Sequence, residues 1–103
     1  YKLEGSIMSH LTVVAEITAK PGSIEDVKAE LQKLIDPTRE EDGCINYDLH
    51  QSTENPGTFI FHENWTSEEH LNVHLETAHI KKCQAALDGI VEGVVVHRLR
   101  QIG

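Results

Sequence analysis

Only two cysteines, Cys44 and Cys83, occur in the 103 residues. They lack the density of a secreted disulfide scaffold and the CxxC spacing of a redox or zinc motif, so both are expected as reduced, structural thiols. Basic residues are scarce as well, nine against seventeen acids for a formal charge of −8. Nucleic-acid binding rests largely on Lys and Arg contacts to phosphates, and this balance argues against such a partner. No apolar run approaches the roughly 18 residues of a membrane span, and no apolar stretch follows a basic N-terminus as in a secretory signal. The expectation is a cytoplasmic protein with no membrane partner. Repeats and low-complexity tracts are absent too, which excludes solenoid and fibrous architectures.

What is present fits one small globular domain. Apolar residues make up 39% and charged residues 25% of the chain, near the globular average and far from the disordered regime. At this length a monomer buries a modest core, which favours association with a second copy. The first seven residues, "YKLEGSI", precede a Met and read as a remnant of an expression vector, leaving 8–103 as the domain.

The hydrophobic pattern orders the chain as β-α-β-β-α-β. "HLTVVAEITAK" is rich in β-branched residues and ends at Pro21-Gly22, as a strand does. Ser23 is placed to cap a helix whose apolar positions are Ile24, Val27, Leu31, Leu34 and Ile35; Pro37 should interrupt it and Gly43 should close it. Ile45, Tyr47 and Leu49 alternate with polar residues, then "TENPG" turns the chain into a strand whose Phe59, Phe61, Glu63 and Trp65 share one face. Ser67 and Thr77 are N-cap candidates for two further helical segments, the first with a face of Leu71, His74 and Leu75, the second with a stripe of Ile80, Cys83, Leu87 and Ile90. "EGVVVHRLRQI" is the last strand. This order predicts an α+β fold, the ferredoxin-like split βαβ with an antiparallel sheet and helices on one face. Its bare second face would be covered by packing two sheets together in a two-fold dimer.

The segment 63–79 holds the single Trp, His70, His74 and His79, four acids and no base. A zinc-like site is the sharpest reading of three histidines, with His70 and His74 one helical turn apart. The HExxH arrangement is missing, however, because Leu71 and Asn72 follow His70. No metal is therefore expected, and His70 reads as a solvated helix residue. His74 shares an apolar helix face and His79 starts the next helix, so both can point toward the space that Phe61, Glu63 and Trp65 enter from the strand. Aromatic walls with a few converging polar groups suit a small-molecule pocket. His10, His50, His62 and His97 are assigned by default to surface or interface.

The succession "AEITAKPG", "EEDGCINYDL" and "FIFHENWTSEEHLNVHLETAH" resembles the antibiotic biosynthesis monooxygenase family, especially its small quinol-monooxygenase-like members. Its most specific parts are Gly43-Cys44 with Tyr47, Glu63 with Trp65, and the His74 to His79 spacing. The resemblance implies a ferredoxin-like homodimer with a joint α/β barrel. It further implies oxidation of a small phenolic or quinol substrate by molecular oxygen, with no metal or flavin cofactor. It makes His74 and His79 the proton-handling residues and places Trp65 in the pocket wall or as an N–H donor. Tyr47, Phe61 and Glu63 are the substrate-binding candidates, with Glu63 able to orient a His. One departure stands out: polyphenol-oxidising members carry Asn four positions before the Trp, where this chain has Phe61, and alternation aims Asn64 at the opposite face. Two other readings remain open. One is an isomerase of a small phosphorylated or carbonyl compound, served by Lys20, Lys28, Arg98 or Arg100; the other is a non-catalytic dimer that holds a small molecule.

Overall fold

The structure, a computed structural model, describes residues 10–103. Residues 1–9, among them the seven read as a vector remnant, lie outside the described residues. Strand β1 (Leu11–Ala19) realises its alternation: Val13, Ala15, Ile17 and Ala19 are buried, and the intervening side chains face the other way. Helix α1 (Ile24–Gln32) buries Val27 and Leu31. Ser23 occupies its N-cap position, but its side chain makes no capping hydrogen bond.

One interrupted helix was the expectation; two helices are found. The short α2 (Ile35–Arg39) begins after the last turn of α1, and Pro37 falls in its first turn. Amides there have no intrahelical acceptor, so the missing donor is not needed. The chain breaks before the proline. Gly43 does not close a helix, since α2 is capped at Glu40. It turns the chain into β2 at φ 81, and its carbonyl accepts from the Thr66 amide at 2.8 Å.

β2 (Cys44–Gln51) and β3 (Thr58–Trp65) form the hairpin. β3 buries Phe59, Phe61, Glu63 and Trp65 on one face, as its alternation predicts. On β2 the expected face changes. Cys44 pairs with Trp65 and Asn46 with Asn64, which leaves Ile45 as the extra residue of a bulge. Ile45 is therefore 54% exposed, while Cys44 packs against the core beside Tyr47 and Leu49.

After β3 come α3 (Glu68–Leu75) and α4 (Ala78–Leu87). Their caps are as the sequence indicates: the Ser67 hydroxyl accepts from the His70 amide at 3.2 Å and the Thr77 hydroxyl from the Ile80 amide at 3.4 Å. α3 buries Leu71 and His74, and Leu75 at its end is 39% exposed while still lining the same cavity as His74. β4 (Val91–Leu99) completes an open antiparallel sheet of order β2-β3-β1-β4. β1 is the central strand, paired with β3 on one side and β4 on the other. The core lies between the sheet and the helices, where Trp65, Tyr47, Phe59, Leu31 and Val27 are fully enclosed. β4 contributes no buried residue to it.

Candidate active site

Between sheet and helices the packing opens into a cavity of about 340 Å³. Its floor is Val13, Ala15 and Ile17 of β1, with Tyr47, Phe61 and Glu63 on one side and Val94, Val96 and Arg98 of β4 on the other. The helices roof it with Leu31, Leu34, Leu71, His74, Ile80 and Cys83. The size lies in the range of small-ligand sites, about 300–1,000 Å³, and the walls are mainly apolar. An apolar cavity of about 150 Å³ already holds benzene, so this one has room for one or two fused rings.

His74 reaches the cavity from the last turn of α3. Its Nδ1 stands 2.7 Å from Oε2 of Glu41, in the loop between α2 and β2. A carboxylate accepts, so Nδ1 carries the proton and Nε2 keeps its lone pair. No group among the described residues bonds Nε2. Burial lowers the His74 pKa below its ordinary value, partly offset by the hydrogen bond and charge of Glu41 and assisted by the neighbouring His79. The shift favours the neutral imidazole. It packs 4.7 Å from the Trp65 indole and edge-on to Tyr47 at 5.6 Å, centroid to centroid.

Glu63 enters from β3. Its Oε1 accepts from Nε1 of Trp65 at 2.8 Å. Burial pushes its pKa up to about 7, against the stabilising indole N–H, and the Glu41 charge adds to the rise. Tyr47 sits opposite Glu63 in the β2–β3 register and stacks on Phe61 at 4.6 Å. Burial, then the Glu63 charge, drives its phenol far above the usual range, so it stays a neutral donor. The Cys83 thiol on the cavity wall is pushed up to about 11 by burial and then by Glu30, which leaves it protonated and unreactive.

The structure thus brings together His74, Glu63, Tyr47 and Phe61 on one cavity, and sets Trp65 and His79 apart from it. Trp65 is fully buried behind the wall with its N–H committed to Glu63, so it is not a free donor to a ligand. His79 lines an adjoining groove that shares Leu34 and Cys83 with the cavity, and its Nε2 meets the same Oε2 of Glu41 at 2.7 Å. Glu63 orients no histidine; Glu41 does, and sequence reasoning passed over it as part of an acidic run before a turn. His70 is not freely solvated. Its Nδ1 lies 2.7 Å from Ser67 Oγ and 2.9 Å from Thr66 Oγ1, and its ring covers Gly43. Asn64 bonds Asn46 on the far face at 2.8 Å, away from the cavity. Of the four bases considered for a phosphate, Arg98 alone lines the cavity, and it is held by Glu68 at 2.9 Å.

Glu41, His74 and His79 also form the one set of three among the described residues with ligand atoms close enough for a metal, all within 4.8 Å of one another. Yet both imidazoles touch a single oxygen at 2.7 Å. Zinc bonds of about 2.0 Å at tetrahedral angles hold ligand atoms about 3.3 Å apart, so the spacing seen is that of hydrogen bonds.

Comparison with known proteins places these features in context. Residues 10–86 match the profile of the family described as antibiotic biosynthesis monooxygenase. The chain is 31% identical over 91 residues to "Probable quinol monooxygenase YgiN" of Escherichia coli K12, covering 79% of this chain and 88% of that one. The crystal structure of PA3566 from Pseudomonas aeruginosa superimposes with a TM-score of 0.89 at 33% identity, covering 92% of this chain and 96% of the other. Rv0793 from Mycobacterium tuberculosis gives 0.86 at 29%, covering 92% and 97%.

Proposed function

Because the chain belongs to the antibiotic biosynthesis monooxygenase family, we propose that it oxidises a small phenolic or quinol substrate with molecular oxygen, using no metal or flavin. One observation carries this reading: His74 lines an apolar cavity of about 340 Å³ with its Nδ1 held by Glu41, which leaves Nε2 as the nitrogen able to take a proton. A phenol becomes a strong one-electron donor once it loses its proton. The protein's tasks are then to hold the ring, take the proton and stabilise the anion. His74 Nε2 is the base. The Tyr47 hydroxyl and the Glu63 carboxyl in its protonated form, both on the cavity wall, would hold the anion where Phe61 takes the place of the Asn. For a hydroquinone the balance is hydroquinone plus O2 giving hydroxyquinone plus water; the substrate supplies the electrons.

Oxygen uptake by the purified protein over a panel of hydroquinones and naphthohydroquinones tests the proposal. His74→Ala should lower the rate about 10²–10⁴-fold, the usual share of general base catalysis. Uptake no faster than in buffer across the panel would remove the reading. Arg98 on the cavity wall favours a second one, isomerisation of a small phosphorylated or carbonyl compound, which would proceed under strict anaerobiosis.

We also infer a homodimer. Val94, Val95 and Val96 are each more than half exposed, on alternating faces of an edge strand. A second copy packed on the open sheet would cover them, join the two sheets into a barrel and shield the β4 side of the cavity.

A further inference from the structure

In the proposed reaction the substrate's proton is taken up inside an apolar cavity before reduced oxygen needs one back, and the surroundings of His74 offer it a way out in the meantime. Glu41 Oε2 sits between two imidazoles at 2.7 Å from each. The first ring, His74, is 3% exposed at its side chain and borders the cavity; the second, His79, is 24% exposed and borders a groove on the surface. Glu41 between them is 12% exposed. The three groups come from three different elements, the α2–β2 loop, the end of α3 and the start of α4, and they form a bent line with the cavity at one end and the groove at the other.

From this geometry, and resting on the reading of His74 as base, we propose that Glu41 and His79 form a proton relay that connects the cavity to bulk water. Going outward, the substrate O–H bond breaks and His74 Nε2–H forms. The Nδ1–H bond then breaks as Glu41 Oε2–H forms, and that proton passes to His79 Nε2. His79 releases its Nδ1 proton to water. When reduced oxygen later needs a proton, His74 Nε2–H supplies it and the relay runs inward to restore Nδ1–H, so no group ends the cycle in a changed state. Both transfers use the 2.7 Å contacts of Glu41 Oε2; in the second, the proton lies on that oxygen and is donated to a bare His79 Nε2. His79 must accept from Glu41 for this to work, which requires its Nδ1–H tautomer.

Glu41 and His79 touch no substrate in this scheme and act through His74, so they are positioning and relay residues. Other titratable groups face the line. Tyr47 on β2, and Glu63 on β3 through Trp65, stand on the cavity side. Glu30 and Lys33 near the end of α1 and Lys82 on α4 border the outer groove with His79. A pH profile alone would mix these contributions, so the test uses exchange with added buffer.

Oxygen uptake is measured for the wild type, His79→Asn and Glu41→Gln over a range of imidazole buffer concentrations at constant ionic strength. His79→Asn should lower kcat about tenfold or more, below the full effect of losing the base, with KM within about twofold. Raising the imidazole concentration should restore the rate, because a dissolved base can take the proton from Glu41. Glu41→Gln should be slower still and gain nothing from imidazole, since an amide cannot pass the proton on. A merely structural role for His79 predicts no rescue. Wild-type kcat in His79→Asn, or loss without rescue, would overturn the relay while leaving the monooxygenase reading intact. A second measurement needs neither substrate nor variant. Ring 15N shifts of the wild type at neutral pH should show His74 protonated at Nδ1 and His79 unprotonated at Nε2. Both rings donating to Glu41 would sink the relay even if no quinol were ever turned over.

Discussion

At Glu63 two demands meet in one carboxyl group. Its position in the alternation of β3 buries it, and burial opposes its charge; the Trp65 N–H favours the charge but does not win, and the pKa rises from 4.5 to about 7. Between those values the folded state holds more proton than the unfolded chain, so stability falls as pH rises through this window. Above about pH 7 the loss reaches roughly 3 kcal/mol at about 1.4 kcal/mol per pH unit. Glu63→Gln keeps an acceptor for the indole and removes the titration. Urea unfolding at pH 5 and pH 8 should therefore give a smaller pH difference for this variant than for the wild type. His74 contributes the opposite slope on the acid side, where its lowered pKa costs stability as pH falls, and it does so in both proteins. Glu63 and its neighbour Trp65 were legible in the sequence because strand alternation fixes which side chains share a face. Glu41 was not. In "EEDG" it resembles any solvated acid, and its partners lie 33 and 38 positions further on, so only the folded chain reveals its role.

Among the elements, the turn at Gly43 joins α2 to β2 and also seats α3. A Cβ there would overlap the His70 ring, and φ 81 is unfavourable for any L side chain. Gly43→Ala should cost about 1–3 kcal/mol from the backbone alone. For a domain of this size that is a fall of several degrees in Tm, about 4–8 °C per kcal/mol, readable by thermal unfolding. The sequence announces a glycine at this point but not its reason, since the ring that excludes a side chain arrives 27 residues later. Caps at Ser67 and Thr77 could be read locally because their bonds span three residues. The bulge at Ile45 could not, because Ile45, Tyr47 and Leu49 keep perfect period-two spacing and only pairing with β3 exposes the extra residue.

For the whole molecule, the order of elements was legible from the hydrophobic periods, whereas the exposure of β4 on both faces was not: none of its valines is buried. If a second copy covers them, sedimentation should give twice the monomer mass. Val95→Lys should shift the protein to the monomer, since a charge buried at the centre of such a contact is costly. The same strand fixes the timetable of folding. β4 supplies the wall of the cavity at Val94, Val96 and Arg98, and it does so by pairing with β1, where position 98 meets position 13. Contacts that distant in the chain are entropically slow to close. During synthesis, then, β1 emerges early and waits with one edge unpaired until nearly the whole domain has been translated. The cavity is the last part of the domain to be completed, and a nascent chain cut before Val91 would have every side chain proposed for catalysis and would lack the strand that walls them in.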